Sequence, residues 1–302
     1  MAMPTRAPES WRIALITTVT PIADVLTDAL RQMGHQPVAV IGARRRTPPR
    51  DGARSFPALG DSTAPAGLDV LLAHDRHAIE PLLRATKADL AVCWGFSWRI
   101  PQAALEVPRL GAINCHPALL PRHRGPIPIT WAFRDGDDRY GLTWHRMDPH
   151  LDTGAILAQT SFPMEDDDWD YLALGPRMIG AALGLLPRVL ERIGAGDPGD
   201  PQSDEGATWA GWLGDDYATV DWTWPRRRIH DQVRAWVFAD QPAPIGPMTE
   251  LNGRRVRLTR TAMSDPGSGA IRMEAGDGPL WVTTYEPLDE AGQPVAAEAV
   301  QP

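Results

Sequence analysis

The chain has 302 residues, of which 43% are hydrophobic and 23% charged, with a formal net charge of −8 at pH 7. This length is enough for two domains. The acidic balance argues against nucleic-acid binding over a wide surface, because contacts to phosphate need Lys and Arg. No uninterrupted apolar run is long enough to span a membrane, and the opening residues MAMPTRAPESW lack the apolar core of a signal peptide, so we expect a cytoplasmic protein.

The first third of the chain predicts strands that alternate with helices. The predicted strands cover 11–18, 36–42, 69–74 and 89–95, and the predicted helices cover 21–33 and 79–86. Apolar residues in 21–33 recur at helical spacing until Gly34, a residue type that commonly follows a helix end. A strand, a helix and a second strand in this order favour a parallel pair, so we expect an α/β fold. No glycine-rich phosphate loop follows the first strand, and a dinucleotide site is therefore not expected.

A Pro-, Gly- and Arg-rich connection follows the second predicted strand at residues 43–67. It contains five arginines within a short span, namely Arg44, Arg45, Arg46, Arg50 and Arg54. One interpretation is a solvated loop, because runs of like charge usually face water. The other is a contact with a phosphorylated small substrate, because guanidinium groups pair well with phosphate.

Asn114 and His116 end a predicted strand that begins at Ala112, after a short helix near residues 103–105. Side chains two residues apart on a strand point to the same face, so this amide and imidazole are expected to share one site. Pro117, Pro121 and neighbouring prolines then predict a stiff loop. A helix near 127–134, a turn at 135–138 and a strand at 140–147 lead to a second loop, Leu151-Asp152-Thr153-Gly154.

An amide, an imidazole and a carboxylate on adjacent loops suit the attack of an amine on a carbonyl carbon. Asn114 can donate to the developing oxyanion, and His116 can accept a proton or, when protonated, stabilise negative charge. Asp152 can fix the imidazole or take part in proton transfer. The alternatives are a structural histidine at 116 and a turn-capping aspartate at 152. His145, Asp148 and His150 could form a metal site with His116, but their spacing does not support one, and we predict no metal.

Five fragments in this region together resemble the signature of the folate-dependent formyltransferases. They are Asn114-Cys115-His116-Pro117, Leu119-Leu120-Pro121, Arg124-Gly125, Gly141-Leu142-Thr143 and Leu151-Asp152-Thr153-Gly154. The resemblance implies a Rossmann-like domain that binds 10-formyltetrahydrofolate and transfers its formyl group to a primary amine. It also implies that Asn114, His116 and Asp152 are catalytic. The folate contacts it implies are Trp94, Phe96, Trp98, Ile100, Asp148 and Leu151. We further predict acceptor contacts from Arg122, His123, Arg124 and Gly125.

The last part of the chain predicts a long helix and then a smaller β-rich domain. The helical pattern runs from Trp169 to Ile193, with breaks or kinks expected at Gly175-Pro176 and Pro187. We predict a catalytic domain at 1–195, a linker at 196–219 and a C-terminal domain at 220–302. The final domain is expected to hold a helix after Trp222 and an OB-like barrel. Its predicted strands lie near 245–251, 254–261 and 279–285, with Asn252-Gly253 as a hairpin turn.

The predicted acceptor is the amine of a small molecule, such as a nucleotide-linked amino sugar or a natural-product intermediate. Two features favour it: Thr18-Val19-Thr20-Pro21 replaces the Gly-Thr-Pro turn of the relatives that modify tRNA, and the second domain is short. Methionyl-tRNA is the alternative acceptor, since residues 44–54 could form the basic insertion of those relatives. A non-catalytic folate-binding relative is a second alternative, and transfer of another acyl or one-carbon unit is also left open.

Overall fold

The computed structural model describes residues 10–44, 65, 67–96, 98–239, 241, 245–289 and 292–295. Of the five arginines expected to form a basic loop, Arg44 is described, and its backbone N–H donates to the carbonyl of Ala73 at 2.7 Å. Arg45, Arg46, Arg50 and Arg54 lie outside the described residues. The prediction of a basic loop therefore stays a prediction.

The larger sheet has seven strands in the order β3-β2-β1-β4-β5-β6-β7. These are β1 Arg12–Ile16, β2 Gln36–Ala43, β3 Asp69–Ala73, β4 Leu90–Trp94, β5 Ala112–His116, β6 Arg139–Arg146 and β7 Ile156–Pro163. Strands β1 to β5 pair in parallel, whereas β6 runs antiparallel to β5. The predicted α/β architecture with a mostly parallel sheet is confirmed. Strand β7 was not predicted from the sequence.

Six α-helices accompany the strands in the described part of the chain. They are α1 Thr20–Gln32, α2 Ile79–Thr86, α3 Gln102–Leu105, α4 Pro128–Asp135, α5 Tyr171–Gly194 and α6 Arg226–Ala239. Helix α1 starts with Pro21 in its first turn, where no helical hydrogen bond is lost, and it buries Ile22, Leu26 and Leu30. Its apolar spacing therefore corresponds to the face that packs on the sheet.

The sheet has a hydrophobic cluster on each face, because side chains alternate along its strands. Leu15, Val92 and Trp144 belong to one cluster, which also receives Leu186 and Val189 of α5. The other cluster contains Ile16, Cys93, Ile100, Leu105 and Ala112. By alternation along β5, Asn114 and His116 lie on the same face as Ala112. The second face is therefore the one that carries the candidate site.

Helix α5 is continuous over 24 residues and contains Pro176 and Pro187 in its interior. The helix has no break at either proline, because burial of the apolar stripe against the sheet outweighs the loss of individual backbone hydrogen bonds, and the predicted kinks stay a prediction. By length and composition alone, this helix could cross a membrane. Its core-facing residues, which include Ala182, Leu186 and Leu190, instead contact the strands, so the length is weak evidence for a membrane span.

The chain divides into two compact units, each built from separate stretches: 1–124, 141–162 and 175–208 form the first, and 125–140, 163–174 and 209–302 the second. The predicted limits at 195 and 220 differ from this division, because α4 and the stretch before α5 belong to the second unit. In that unit Phe133 of α4 lies 5.4 Å, ring to ring, from Phe238 of α6. The predicted limits stay a hypothesis about functional domains.

The second unit contains a four-stranded sheet in the order β10-β11-β9-β8. Its strands are β8 Met248–Leu251, β9 Arg254–Ala262, β10 Ile271–Ala275 and β11 Gly278–Pro287. The predicted hairpin turn is present at Asn252 and Gly253, whose φ angles of 51° and 75° suit a tight two-residue turn. Strand β10 was not predicted, although Arg272 and Glu274 alternate with apolar residues as in a half-buried strand.

Candidate active site

The antiparallel pairing of β5 and β6 places Asn114 directly opposite His145. Side chains at opposed positions of a pair lie on the same face of the sheet. Asn114 Nδ2 is 3.2 Å from His145 Nε2, so the two side chains are hydrogen-bonded. The other nitrogen of His145, Nδ1, is 2.7 Å from the carbonyl oxygen of Arg146. Because a carbonyl only accepts, Nδ1 donates to it, and Nε2 is the ring nitrogen that faces the Asn114 amide.

Asp152 enters the same site from the loop that follows β6. Its side chain is only 8% exposed. One carboxylate oxygen accepts from Asn114 Nδ2 at 3.4 Å and lies 3.6 Å from His145 Nε2, while the other lies 3.6 Å from His116 Nδ1. The structure therefore brings Asn114, His116 and Asp152 together, as the sequence predicts, and adds His145 to them.

The loop that carries Asp152 depends on Gly154. A Cβ atom at this position would lie 1.9 Å from the carbonyl oxygen of Arg146, which leaves no room for a side chain. Asp152 itself has a φ of 58°, a left-handed conformation that Asp and Asn adopt more readily than most residues. The Asp-Thr-Gly sequence therefore has a local structural reason in addition to any chemical one.

His116 is buried, with only 4% of its surface exposed. Its Nε2 donates to the carbonyl oxygen of His123 at 2.8 Å, which leaves Nδ1 facing Asp152. Burial lowers the pKa of His116 below its ordinary value, whereas the Asp152 charge and the His123 carbonyl act in the opposite direction. A neutral His116 can therefore accept a proton at Nδ1, and the nearby carboxylate would stabilise the resulting charge.

The loop after His116 is fixed by side chains of β6 and β7. Thr143 Oγ1 donates to the carbonyl of Ala118 at 2.6 Å and accepts from the N–H of Leu120 at 3.3 Å. Gln159 Nε2 donates to the carbonyl of Leu120 at 2.7 Å. Gly141 lets this loop cross the strand, since a Cβ there would lie 2.0 Å from the Leu119 nitrogen. The Gly141-Leu142-Thr143 fragment therefore serves to support the His116 loop.

Three of the four predicted acceptor contacts are engaged within the first unit. His123 is 3% exposed and its N–H donates to Thr208 Oγ1 at 2.8 Å. The Arg124 side chain donates to the Gln202 and Asp204 side chains and to the carbonyl of Ser203. Arg122 lies near His123, with 3.4 Å between Nη2 and Nε2. Their role towards an acceptor stays a prediction.

Gly125, the fourth predicted acceptor contact, belongs to the second unit. Its φ is 123°, and a Cβ there would lie 2.9 Å from the carbonyl oxygen of Ala210. The glycine therefore allows two backbone segments of that unit to approach each other. This packing explains the residue without an acceptor.

The predicted folate contacts divide between the two faces of the sheet. Phe96, Trp98 and Ile100 pack in the apolar cluster on the Asn114 face, and Phe96 and Trp98 meet edge to face at 5.7 Å. Trp94 instead lies in the cluster on the opposite face, where its ring is 6.3 Å from that of Trp144. The structure therefore does not bring Trp94 to the side of the sheet that carries the site.

A cleft of about 240 Å³ lies beside this cluster. Leu105, Ala112 and Met147 supply apolar lining, and Asp148 supplies a carboxylate. Thr153 Oγ1 donates to both oxygens of that carboxylate, at 2.7 and 2.8 Å. Leu151 is half-buried in the same loop. Gln102, Glu106 and Arg146 also line the cleft, so its apolar wall is combined with several polar and charged side chains.

Two contributors to the site were not identified from the sequence. His145 was considered only as a metal ligand, and Gln202 only as part of a linker. The alternation of side chains along β6 could have indicated which face His145 occupies. Its place opposite Asn114 depends in addition on β6 running antiparallel to β5. Among the described residues, no three His, Cys, Asp or Glu side chains are arranged to hold a metal ion.

The family model described as "Formyl transferase" matches residues 11–189, which is more than half of the chain. The chain belongs to this family. The family expected from the five fragments around the site is thereby confirmed.

The curated relatives of this chain include methionyl-tRNA formyltransferases. That of Pelobacter propionicus is 35% identical over 214 residues, which cover 67% of this chain and 65% of the relative. That of Halorhodospira halophila is 34% identical over 289 residues, which cover 89% of each chain. The chain thus spans slightly less than two thirds of the first relative.

Solved structures share the fold at low sequence identity. HypX from Aquifex aeolicus, in complex with tetrahydrofolic acid, has a TM-score of 0.64 and 18% identity, covering 93% of this chain and 45% of its own. The N-formyltransferase from Helicobacter canadensis, in complex with folinic acid and dTDP-3-aminofucose, has a TM-score of 0.62 and 15% identity, covering 89% and 98%. At these identities the likeness shows the fold alone.

Proposed function

We propose that the protein is a cytoplasmic N-formyltransferase that moves the formyl group of 10-formyltetrahydrofolate to the primary amine of a small molecule. The observation that carries this proposal is the convergence of three side chains. Asn114 Nδ2 lies 3.4 Å from one carboxylate oxygen of Asp152, and His116 Nδ1 lies 3.6 Å from the other. A binding protein has no need of a buried carboxylate–imidazole pair, so the convergence argues against the non-catalytic alternative.

The three side chains have separate roles in the proposed reaction. The acceptor nitrogen forms a bond to the formyl carbon, and the carbonyl electron pair moves to oxygen. There Asn114 donates a hydrogen bond in place of its 3.4 Å contact with Asp152, and protonated His116 supplies positive charge. Asp152 accepts the proton that the attacking nitrogen loses. The oxyanion electron pair then re-forms the carbonyl as the bond from the formyl carbon to N10 of the folate breaks, and N10 takes the proton held by Asp152 as tetrahydrofolate leaves.

The cleft beside Ile100 and Leu105 is the proposed site of the pterin ring. Asp148, held by Thr153, can accept hydrogen bonds from the ring's amino and amide groups. The cleft shares Ala112 with β5, two residues before Asn114. A donor bound there would lie on the same face of the sheet as the catalytic side chains.

For the acceptor we propose a nucleotide-linked amino sugar or a related biosynthetic amine. The fold shared with an N-formyltransferase crystallised with dTDP-3-aminofucose supports it. The acidic net charge of −8 also supports a small acceptor over a long polyanion. The proposed C-terminal OB-like barrel finds partial support in the four-stranded antiparallel sheet of the second unit.

Methionyl-tRNA is the second candidate acceptor. It is favoured by the Halorhodospira halophila relative, a methionyl-tRNA formyltransferase that aligns over 89% of both chains. In this case the arginines of 44–54 would contact the RNA backbone.

The test is an assay of tetrahydrofolate release from 10-formyltetrahydrofolate with two separate acceptor pools. One pool holds charged initiator methionyl-tRNA, and the other holds amino-sugar nucleotides and biosynthetic amines. Asp152→Asn protein is the control for uncatalysed release. Release with small amines alone is the expected result. Release with tRNA alone would replace the proposed acceptor, and release with neither pool, despite folate binding, would support the non-catalytic alternative.

A further inference from the structure

Gln202 connects two loops that carry residues of the candidate site. Its Nε2 donates to the carbonyl oxygens of Asp152 at 2.9 Å and Gly154 at 2.7 Å. Its Oε1 accepts from Arg124 Nε at 3.0 Å. One carboxamide therefore makes three hydrogen bonds, two to the Asp152 loop and one to the end of the His116 loop.

These contacts complete a ring of bonded groups around the carboxylate–imidazole pair. Arg124 is peptide-bonded to His123, whose carbonyl accepts from His116 Nε2 at 2.8 Å. The other nitrogen of His116 faces Asp152 Oδ2 at 3.6 Å. The carbonyl of Asp152 returns to Gln202. Loss of the Gln202 carboxamide would break this ring of contacts.

The segment that bears Gln202 is held on both sides. Asp200 and Ile156 exchange two backbone hydrogen bonds of 2.8 Å each. Arg192 donates to the Asp200 carboxylate at 2.9 and 3.1 Å. Further along, the N–H of Thr208 donates to the carbonyl of Pro121 at 3.3 Å. Gln202 therefore acts from an anchored backbone, so it can fix the position of a loop.

We propose that Gln202 is a positioning residue that holds the Asp152 carboxylate against His116. A carboxamide is suited to this role because it donates two hydrogen bonds and accepts another from one planar group. The effect on turnover rests on the proposed formyl transfer, but the effect on the geometry of the pair does not.

Two variants separate the hydrogen bonds that Gln202 donates from the one that it accepts. Gln202→Glu keeps an acceptor for Arg124 but cannot donate to the Asp152 and Gly154 carbonyls. Gln202→Leu loses both functions at similar size. Gln32→Leu, at the exposed end of α1, is the matched control.

We expect both Gln202 variants to lower kcat by about tenfold to a hundredfold, because small displacements of catalytic groups have effects of this size. KM for 10-formyltetrahydrofolate should change less than about twofold, since the cleft does not include Gln202.

The second readout is the titration of His116, followed by NMR of its imidazole protons in the folded variants. The charged or titratable groups that face this ring are Asp152, His145 and His123. Because Asp152 raises the His116 pKa, displacement of its carboxylate should lower the titration midpoint of His116 below that of the wild type. Gln32→Leu should leave it unchanged.

An unchanged His116 midpoint together with wild-type kcat in folded Gln202→Glu and Gln202→Leu proteins would overturn the proposal. If kcat fell in Gln202→Leu but not in Gln202→Glu, the effect would come from the hydrogen bond with Arg124. The proposed role of Gln202 in holding Asp152 would then be overturned. If the wild-type protein transferred no formyl group, the proposed function would fail, and the His116 midpoint alone would decide the role of Gln202.

Discussion

At the scale of single residues, the site is a balance between burial and charge. Desolvation favours neutral His116, whereas Asp152 and the His123 carbonyl favour its protonated form. A group under opposed influences can change protonation during a reaction at small energetic cost. The carboxylate also contacts Asn114, so the charge state of the pair affects the amide that is proposed to bind the oxyanion.

We predict that His116→Ala and Asp152→Asn each lower turnover at least about a hundredfold, in line with the usual contribution of general acid–base groups. Folate binding should stay within a few-fold of the wild-type value, because neither side chain lines the cleft. Steady-state kinetics and folate titration of the two purified variants make the measurement. A variant with normal turnover would have no place in the mechanism.

The sequence predicts Asn114 and His116 as neighbours because two-residue spacing on a strand leaves one geometric possibility. It also predicts Asp152, through the motif that follows β6. His145 could not be placed, because its contact with Asn114 exists only if β6 runs antiparallel to β5. The contacts of Gln202 were equally inaccessible, since about fifty residues separate it from the carbonyls that it binds.

At the scale of elements, two glycines differ in the space that a side chain would have at their positions. In the loop after β6, a Cβ at Gly154 would overlap the Arg146 carbonyl oxygen at 1.9 Å, whereas a Cβ at Gly180 in α5 has no heavy atom within 4 Å. The first glycine is required by a close approach of two backbone segments. The second only lowers the helical propensity of α5.

Gly154→Ala should therefore lower the free energy of unfolding by about 1 to 3 kcal/mol, as overpacking generally does. Gly180→Ala should raise it by about 0.5 to 1 kcal/mol, because alanine favours the helix. Urea unfolding of both variants beside the wild type makes the comparison. Equal effects of the same sign would contradict the packing described for Gly154.

Helix α6 carries a buried histidine that predicts acid sensitivity of the second unit. Burial, with smaller contributions from Arg234 and Arg227, lowers the pKa of His230 to about 3. Its Nδ1 is 2.9 Å from Thr261 Oγ1. Below the unfolded pKa of about 6.5, the unfolded chain binds a proton that the folded unit refuses. Stability should therefore fall as the pH decreases from about 6.5 towards 3.

The expected slope from His230 is about 1.4 kcal/mol of unfolding free energy per pH unit in this window. His230→Asn retains a partner for Thr261 but has no titrating ring, so its unfolding free energy should fall less between pH 6 and 4.5. The measurement is urea unfolding at a series of pH values. Parallel curves for wild type and His230→Asn would show that His230 does not contribute.

At the scale of the whole molecule, the two compact units are interleaved along the chain. Helix α4 lies between the His116 loop and β6 in sequence, yet it belongs to the second unit. There Phe133 is 1% exposed, and the ring of Tyr171 lies 5.0 Å from that of Phe238. The sequence predicts one boundary near the end of α5, because a change in composition marks the start of a linker. Composition does not indicate which later element an earlier helix such as α4 packs against.

Removal of residues 209–302 should therefore also destabilise the part of the chain that remains. Phe133 and Tyr171 would lose Phe238, and the carbonyl of Glu165 would lose its hydrogen bond from Arg234. We expect the fragment to unfold at least about 2 °C below the full chain, the shift for a loss near 1 kcal/mol in a domain of roughly 150–250 residues. A fragment with the full-length Tm would favour the boundary predicted from sequence.

The left-handed backbone at Asp152 limits which amino acids can supply a carboxylate at this point. Glutamate carries the same charge, but a longer side chain without the local hydrogen bonding of Asp or Asn makes a φ of 58° costlier, by about 1 to 2 kcal/mol. Replacement of Asp by Glu is usually a conservative substitution. At position 152 it would strain the main chain even though the charge is kept. Asn and Gly are the replacements that keep the loop shape at the lowest backbone cost, and both lose the charge.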